Sequence, residues 1–258
     1  MINNKLYNKS SESMSEIPDS SIDLIVTSPP YNIDISYGNK WVDRKVIESK
    51  SIKYQDNLAE DEYRHFLQKV ANECVRVLKD DGTVFFNLKN RLINDRMEPP
   101  FWIVDIFKDL YLKNIIIWNF DWGGSTSKRF ASRYEYVFFF SKNKKKWKFN
   151  LDDISIPSVN YRPDRYKTQY KNPSDVWKIP LVSGNAIERT EHPAQYPEKL
   201  IERIIKAVTD EGDLVLDPFM GSGTSAVVAK KLKRQYVGYE INIEYIEMAK
   251  KRLKQNED

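Results

Sequence analysis

The sequence Asp-Pro-Phe-Met-Gly-Ser-Gly-Thr at residues 217–224 is the clearest structural signal in the chain. An apolar run, residues 214–216, leads into it, and a stretch rich in Ala, Val and Lys, residues 225–232, follows. This order predicts a strand, a tight glycine turn and a helix. The glycines permit a sharp turn and a close approach of a ligand, and the helix start at Thr224 offers unpaired N–H groups. We therefore expect a ligand site at the end of this strand.

An acidic residue at the end of the next predicted strand narrows the choice of ligand. Residues 236–240, Tyr-Val-Gly-Tyr-Glu, end in Glu240, which follows Gly221 by 19 residues. An acid near this spacing accepts hydrogen bonds from ribose hydroxyls in nucleotide-binding folds. No Gly-Lys-Ser/Thr follows the glycines, which excludes a Walker phosphate loop, and the Asp217 carboxylate repels phosphate. The pattern predicts a nucleoside-like ligand, either NAD or S-adenosylmethionine (SAM).

Length and composition are typical of one α/β domain with an insertion or a small lobe. The chain has 258 residues, of which 41% are hydrophobic, enough for a sizeable core. The single cysteine, Cys74, excludes a disulfide framework or a cysteine zinc site and suits a reducing compartment, so we expect a cytoplasmic protein. We expect no secretory signal in the first residues, no membrane span and no metal site. The net charge of +4 is a mild sign of a polyanionic partner.

A proline-rich loop, Ser28-Pro29-Pro30-Tyr31, follows the predicted buried strand of residues 22–27. Consecutive prolines cannot continue a strand ladder, so they stiffen the loop. The Ser28 hydroxyl, the Pro29 carbonyl and the flat ring of Tyr31 can together hold a planar heterocycle that carries an amino group. A simple proline turn is the alternative, but the loop sits where α/β sheets place their ligands.

These two motifs, in this order, resemble those of the DNA amino-methyltransferases. The amine motif comes first and the SAM motif last, as in the circularly permuted β group of that family. The resemblance spans nearly the whole chain and implies a Rossmann-like class I methyltransferase. Its expected fold is α/β, with a mostly parallel seven-stranded sheet that contains an antiparallel hairpin strand. It implies a catalytic part in residues 1–142, a small target-recognition insertion in 143–190, and a SAM-binding part of the same domain in 191–258.

The resemblance also implies three sets of site residues. The catalytic set, which would hold the target base and its amine, is Ser28, Pro29, Pro30 and Tyr31. The SAM-binding set is Ser10, His192, Gln195, Asp217, Pro218, Phe219, Gly221, Ser222, Gly223, Thr224, Glu240 and Asn242. Within it, Asp217 would lie near the methionine ammonium and Glu240 would bind the ribose. The DNA-contacting set mixes basic and aromatic residues, which suits phosphate contact and base stacking: Lys128, Arg129, Arg133, Lys144, Lys145, Lys146, Trp147 and Lys148.

Lys144 to Lys146 have a simpler alternative, a solvated lysine turn at the end of a hairpin. One departure from the family pattern concerns the first turn of the chain. The family often has Gly-Asp before its first short helix, whereas this chain has Asn8-Lys9. The expected contact with the amino group of the SAM adenine is therefore missing or moved to Ser10.

The expected reaction is direct methyl transfer from SAM to the exocyclic N4 amine of cytosine in duplex DNA, after base flipping. Ser at the first motif position usually accompanies cytosine-N4 transfer in the family, whereas Asp accompanies adenine-N6 transfer. Ring-carbon methylation needs a cysteine nucleophile and is disfavoured, because Cys74 lies on the apolar face of a predicted helix. Double-stranded DNA is the expected partner. A cognate restriction endonuclease and a homodimer are left open.

Other functions remain as alternatives. The methyl acceptor can be adenine N6, structured RNA or a protein amide, although protein glutamine methyltransferases carry the SAM motif before their Asn-Pro-Pro-Tyr. An NAD-dependent oxidoreductase explains the glycine loop and Glu240 but leaves Ser-Pro-Pro-Tyr without a task. A non-catalytic DNA-binding module lacks support from any helix-turn-helix or zinc pattern.

Further elements follow from hydrophobic periodicity and turn signals. We predict a short helix over residues 10–16 and an amphipathic helix over 60–78 with His65 on its surface. Residues 33–58 are expected to form a loop that acts as a lid, contacts DNA or is a plain surface loop. The other predicted helices cover residues 101–110, 199–208 and 243–253, and the other predicted strands cover residues 5–8, 83–87, 114–118 and 135–141.

Overall fold

The fold is described by a computed structural model of the chain. It describes residues 2–35, 40–42, 45–47, 56–123, 127–158, 162–165 and 168–255. The loop predicted over residues 33–58 lies largely outside the described residues.

Helices and strands alternate along most of the chain. The described helices are α1 (Glu60–Val77), α2 (Ile103–Ile106), α3 (Leu151–Ile154), α4 (Glu198–Val208), α5 (Thr224–Lys231) and α6 (Ile243–Lys254). The described strands are β1 (Lys5–Tyr7), β2 (Ile22–Thr27), β3 (Lys40–Val42), β4 (Lys45–Ile47), β5 (Leu78–Leu88), β6 (Arg91–Ile93), β7 (Arg96–Glu98), β8 (Tyr111–Asn119), β9 (Tyr134–Ser141), β10 (Ile156–Pro157), β11 (Tyr170–Lys171), β12 (Val176–Lys178), β13 (Leu214–Asp217) and β14 (Gln235–Tyr239).

One large sheet organises these elements. Its strand order is β1-β14-β13-β2-β5-β9-β8-β12. Within the described chain, β9 runs antiparallel to β5 and β8, and the other neighbouring pairs are parallel. The mostly parallel sheet with an antiparallel hairpin strand is as expected. It has an eighth strand, β12, beyond the seven that the resemblance implies.

Part of the segment expected as a target-recognition insertion, residues 143–190, joins this sheet as its edge strand. β12 comes from this segment and pairs with β8 in parallel register. Trp177, Ile179 and Val182 are each no more than 5% exposed. The domain boundaries proposed from the sequence remain predictions, but part of the insertion belongs to the central sheet.

Alternation along the strands divides the core between the two faces of the sheet. On one face, Ile25 of β2 packs with α1, including Tyr63 and Cys74. On the other face, Leu24 of β2 packs with α4 residues such as Ile204. Successive strand side chains point to opposite faces, which produces this division. His65 is exposed on α1, as predicted.

Two predicted helices differ from the observed elements. Residues 10–16 form turns, because side chains of α1 take up their backbone groups: the N–H of Met14 donates to Glu73, and Arg76 donates to the Met14 carbonyl. The helix predicted over residues 101–110 is a 3-10 turn, Pro100–Trp102, followed by the short α2. Across the described residues, no helix combines the length and apolar character needed to span a membrane.

Candidate active site

A cleft of about 800 Å³ lies where the parallel strands β2, β13 and β14 end. Ser28 to Tyr31 line one part of it, and Pro218 to Ser222 and Thr224 line another. A buried hydrogen bond joins the two motifs, because the Thr27 hydroxyl donates to Asp217 Oδ1 at 2.6 Å. The folded chain therefore brings the two predicted segments into one cleft, although 190 residues separate Thr27 from Asp217.

Asp217 is a buried hydrogen-bonding centre. Oδ1 accepts from Thr27 and from the N–H of Phe219 at 3.0 Å, and Oδ2 accepts from the hydroxyls of Tyr196 and Ser225. Burial raises the pKa of this carboxyl, while these four donors lower it. A carboxylate has about four acceptor positions, and these partners occupy them. Asp217 therefore has no acceptor position left for a further hydrogen bond, and its predicted place near the methionine ammonium stays a prediction.

The glycine turn requires its glycines for conformation and for space. Gly221 has φ +51° and Gly223 has φ +79°, both in the left-handed region. A Cβ on Gly221 would lie 2.7 Å from His192 Nε2, and one on Gly223 would lie 2.6 Å from the Cβ of Ala249. Gly223 caps α5 at its N-terminus, so the turn directs the first N–H groups of that helix toward the cleft.

Glu240 ends β14 at the cleft, as predicted. Its Oε2 accepts from the N–H of Gly221 at 3.0 Å, and its Oε1 accepts from the N–H of Asn242 at 2.8 Å. Acceptor capacity remains on the carboxyl beyond these backbone donors, which suits ribose hydroxyls. Burial, with a smaller contribution from Asp217, raises the pKa of Glu240 to about 7, although the backbone donors oppose this shift.

The segment from Glu188 to Tyr196 packs beside the glycine turn, because His192 lies next to Gly221 and the Tyr196 hydroxyl donates to Asp217. Gln195 holds this segment together, because Thr190 donates to its side-chain oxygen and its amide donates to the Glu188 carbonyl. The N–H of Ala194 donates to His192 Nδ1 at 3.2 Å, so the ring proton lies on Nε2. Burial lowers the pKa of His192 to about 3, so the imidazole is neutral near pH 7. His192 and Gln195 line the cleft as predicted, and Gln195 also stabilises the loop through its hydrogen bonds with Thr190 and Glu188.

The remaining predicted SAM-binding residues also lie at this cleft. Phe219 lines the cleft and packs edge-to-face on Phe66, with ring centroids 5.7 Å apart. Ser10 lines the cleft, while Asn8 donates to the backbone carbonyls of Glu240 and Ile241. Asn8 therefore joins the first turn of the chain to the end of β14.

Asn242 caps α6 by accepting from the Glu244 N–H at 2.9 Å. Its Nδ2 is buried without a hydrogen-bond partner among the described residues, which makes it a candidate donor to a ligand.

Arg252 of α6 donates to the carbonyl of Ser222 at 3.0 Å and to the hydroxyl of Thr224 at 2.9 Å. It thereby stabilises the glycine turn from the side of α6, a role not predicted from the sequence.

The proline loop is held in place by its neighbours. The Tyr63 hydroxyl donates to the Pro30 carbonyl at 2.8 Å, which leaves the Pro29 carbonyl as the predicted acceptor. Asp56 accepts from the N–H groups of Asn32 and Ile33, the residues that follow the loop. Burial raises the pKa of Asp56, and these backbone donors oppose the shift.

Tyr31 belongs to a polar network that the sequence analysis missed. Its hydroxyl donates to Glu135 Oε2 at 2.9 Å and lies 2.7 Å from Ser28 Oγ. The Asn87 amide donates to the Tyr31 hydroxyl and to Glu135 Oε2. Asn87 and Glu135 stand at the cleft ends of β5 and β9. The available signal was a polar residue at the cleft end of each strand's apolar run, Asn87 after residues 84–86 and Glu135 before residues 137–140.

Cys74 has no access to this chemistry. It is fully buried on α1, and burial raises the pKa of its thiol. A thiol that stays protonated is a poor nucleophile, as the sequence analysis expected.

The predicted DNA-contacting residues separate into two groups at opposite ends of the sheet. Lys128, Arg129 and Arg133 lie between β8 and β9 at the cleft end, where Trp122 and Glu135 line the cleft. The second group follows the far end of β9, and its members are Lys144, Lys145, Lys146, Trp147 and Lys148.

The antiparallel direction of β9 sends this second group to the amino ends of the parallel strands. Lys148 pairs there with Asp213 at 2.6 Å and with Asp210 at 2.7 Å. The Trp147 ring lies 4.0 Å from Lys113 Nζ. Residues 144–148 therefore lie at the end of the sheet away from the cleft, and their contact with DNA stays a prediction.

The comparisons with known proteins agree with this architecture. The family model N6_N4_Mtase, described as DNA methylase, matches residues 22–251, so the chain belongs to this family. The protein is a DNA amino-methyltransferase of the N4/N6 type, as the resemblance implied.

Two relatives are similar over most of their length. The chain is 38% identical over 262 residues to the Type II methyltransferase M.BglII of Bacillus subtilis, covering 95% of this chain and 68% of the relative. It is 35% identical over 252 residues to the DNA adenine methyltransferase YhdJ of Escherichia coli strain K12, covering 93% and 79% respectively.

Two solved structures share the fold. PvuII DNA methyltransferase (cytosine-N4-specific) matches with a TM-score of 0.72 at 21% identity, covering 97% of this chain and 86% of that chain. The complex of M1.HpyAVI with SAM matches with a TM-score of 0.64 at 24% identity, covering 96% and 98% respectively. These matches confirm the predicted class I methyltransferase fold.

Proposed function

We propose that this protein transfers a methyl group from SAM to the exocyclic N4 amine of cytosine in duplex DNA. The observation that carries the proposal is the Thr27–Asp217 hydrogen bond, which joins the amine motif to the cofactor motif in one cleft. A base flipped out of the duplex can enter such a cleft, whereas a base inside the helix cannot reach it.

The residues at the cofactor end fit SAM. Glu240 keeps acceptor capacity for the ribose hydroxyls. The buried Nδ2 of Asn242 has no hydrogen-bond partner among the described residues and can donate to the cofactor. The N-terminus of α5 suits the methionine carboxylate. When bound, SAM supplies an electrophilic methyl group on a sulfonium. The neutral His192 adds no positive charge beside that cation.

The residues at the amine end position the acceptor nitrogen. An exocyclic amine is a weak nucleophile because its lone pair is delocalised into the ring. Hydrogen bonds from its N–H groups to the Ser28 hydroxyl and the Pro29 carbonyl favour the tetrahedral nitrogen that attacks a methyl group. Tyr31 stacks on the base, and transfer then depends chiefly on positioning. Because Cys74 is buried in α1, the reaction runs without a covalent enzyme intermediate.

The choice of cytosine rests on Ser28, since a hydroxyl stands where adenine-specific members of the family usually have a carboxylate. The fold match to a cytosine-N4-specific enzyme is consistent with this choice. Adenine N6 is the second candidate, favoured by the 35% identity to an adenine methyltransferase.

The Type II relative M.BglII supports, for this chain, a partner restriction endonuclease that reads the same DNA site.

The product nucleoside tests the proposal directly. The purified protein is incubated with methyl-labelled SAM and unmethylated plasmid DNA, and the DNA is digested to nucleosides for mass spectrometry. We expect labelled N4-methylcytosine, and the Ser28→Ala variant should yield far less of it. N6-methyladenine as the product would transfer the assignment to adenine, and the absence of any labelled base would overturn both.

A further inference from the structure

Ser28, Tyr31 and Glu135 form a chain of hydrogen bonds that leads from the cleft to a carboxylate. Ser28 Oγ lies 2.7 Å from the Tyr31 hydroxyl, and that hydroxyl lies 2.9 Å from Glu135 Oε2. The three residues stand on two elements, the loop after β2 and the start of β9, and all three line the cleft. We propose that Glu135 is a positioning residue that sets the direction of this chain, so that the Ser28 oxygen is an acceptor for the target amine. This inference rests on the proposed function.

The direction follows from the number of protons at each oxygen. A carboxylate has no proton to donate, and a phenol has one. The Tyr31 proton therefore points at Glu135 Oε2. The Asn87 amide strengthens this arrangement, because its Nδ2 donates to Glu135 Oε2 at 2.6 Å and to the Tyr31 oxygen.

The Ser28–Tyr31 contact can then form in one direction. Geometry alone allows either oxygen to be the donor. Because the Tyr31 proton is directed to Glu135, Ser28 must donate to Tyr31. The Ser28 proton thus turns away from the cleft, and its oxygen lone pairs remain for the amine.

This direction matters for the chemistry of an amine. The target nitrogen needs its N–H groups bonded to acceptors and its lone pair available for the methyl group. Without the carboxylate, the Tyr31 proton can turn to Ser28 and the Ser28 proton can turn to the cleft. A donor facing the amine would bond to the nitrogen lone pair and oppose transfer. Glu135 removes this alternative without itself touching the base.

The test combines substitutions at positions 135 and 31. Glu135→Ala should lower kcat at saturating DNA at least about tenfold, the range expected for a hydrogen bond to a charged group. The dissociation constant for SAM and the KM for DNA should stay within about twofold, because the affected bond acts on the reacting nitrogen. Glu135→Gln should recover part of the loss, since its side-chain carbonyl can take the acceptor position. Glu211→Ala, an exposed position before β13 at the other end of the sheet, is the matched control.

Tyr31→Phe keeps the stacking ring but removes the hydroxyl through which Glu135 acts. It should lower kcat by a similar factor, and adding Glu135→Ala should cause no further loss, because both changes break one chain. Multiplied losses in the double variant, or a Glu135→Ala enzyme with wild-type kcat, would overturn the inference. A wild-type enzyme that methylates no DNA amine would instead overturn the proposed function, so the two failures are distinguishable.

Discussion

The hydroxyl of Thr27 donates a 2.6 Å hydrogen bond to the carboxylate of Asp217, and neither residue is more than 2% exposed. Thr27 ends the strand before the proline loop, and Asp217 ends the strand before the glycine turn. The two strands are parallel neighbours in the sheet. The bond therefore fixes the amine site relative to the cofactor site.

Thr27→Val should test this coupling, because valine keeps the branched shape but cannot donate. It leaves a buried carboxylate short of one partner, at a cost of about 1–3 kcal/mol in unfolding free energy. Urea unfolding should show the loss, and kcat should fall as well. A variant as stable and as active as the wild type would show that the bond has no such role.

Tyr31→Ala should nearly abolish methyl transfer while SAM affinity stays within about threefold of wild type, because the ring contacts the base rather than the cofactor. Calorimetric SAM titration and a single-turnover methylation assay measure the two properties on the same preparation. Equal losses in both would contradict the stacking role.

The pKa of Glu240, raised to about 7, predicts two pH effects. Its contribution to stability is present below its unfolded pKa and is lost as the pH rises through about 7, because the folded state then holds a buried charge. Glu240→Gln should therefore gain stability relative to wild type between about pH 5 and pH 8. SAM affinity of the wild type, relative to the variant, should rise over the same interval, since the ionised carboxylate is the stronger acceptor. Thermal unfolding and SAM titration across this range check both signs, and a pH-independent difference would contradict them.

Gly221→Ala should weaken SAM binding at least about tenfold, because it adds left-handed strain and a clash with His192. Combining it with His192→Ala should recover part of the affinity. Gly223→Ala is the matched comparison, because its clash is with Ala249, so His192→Ala should not relieve it. The absence of recovery in the Gly221→Ala background would assign the effect to strain alone, whereas equal recovery in both backgrounds would show that His192→Ala acts independently of the clash.

The two basic groups predict different salt dependences of DNA binding. The double variant Lys128→Ala/Arg129→Ala should weaken binding and lower the slope of affinity against salt concentration by about two units. The triple variant Lys144→Ala/Lys145→Ala/Lys146→Ala should leave the slope nearly unchanged, because these residues lie across the sheet. Fluorescence anisotropy over a salt series measures both slopes. If only the triple variant lowered the slope, the DNA would instead lie at the amino ends of the parallel strands.

Much of the fold and cofactor site was predictable because it depends on local signals. Residues 214–224 combine an apolar run with paired glycines, and Glu240 follows at a characteristic spacing. Both motifs end parallel strands, so their meeting at one edge followed from sheet geometry.

The missed features depend on tertiary packing. β12 has three residues and no periodicity, and it joins the sheet through pairing with β8 and the burial of Trp177. In the sequence, nothing connects Asn87 and Glu135 with Tyr31. The pairing of β5 with β9 brings both side chains to the Tyr31 hydroxyl. The side-chain contacts of Glu73 and Arg76 with the backbone overrode the helix predicted over residues 10–16.

The reversed direction of β9 has a practical consequence. The strand begins beside the amine site and ends at the opposite edge, where Lys144 to Lys146 are exposed. A fluorophore or affinity handle coupled at these lysines would lie about the length of strand β9 away from the amine site. The protein can thus be tethered to a surface or followed on single DNA molecules while its chemistry proceeds unhindered.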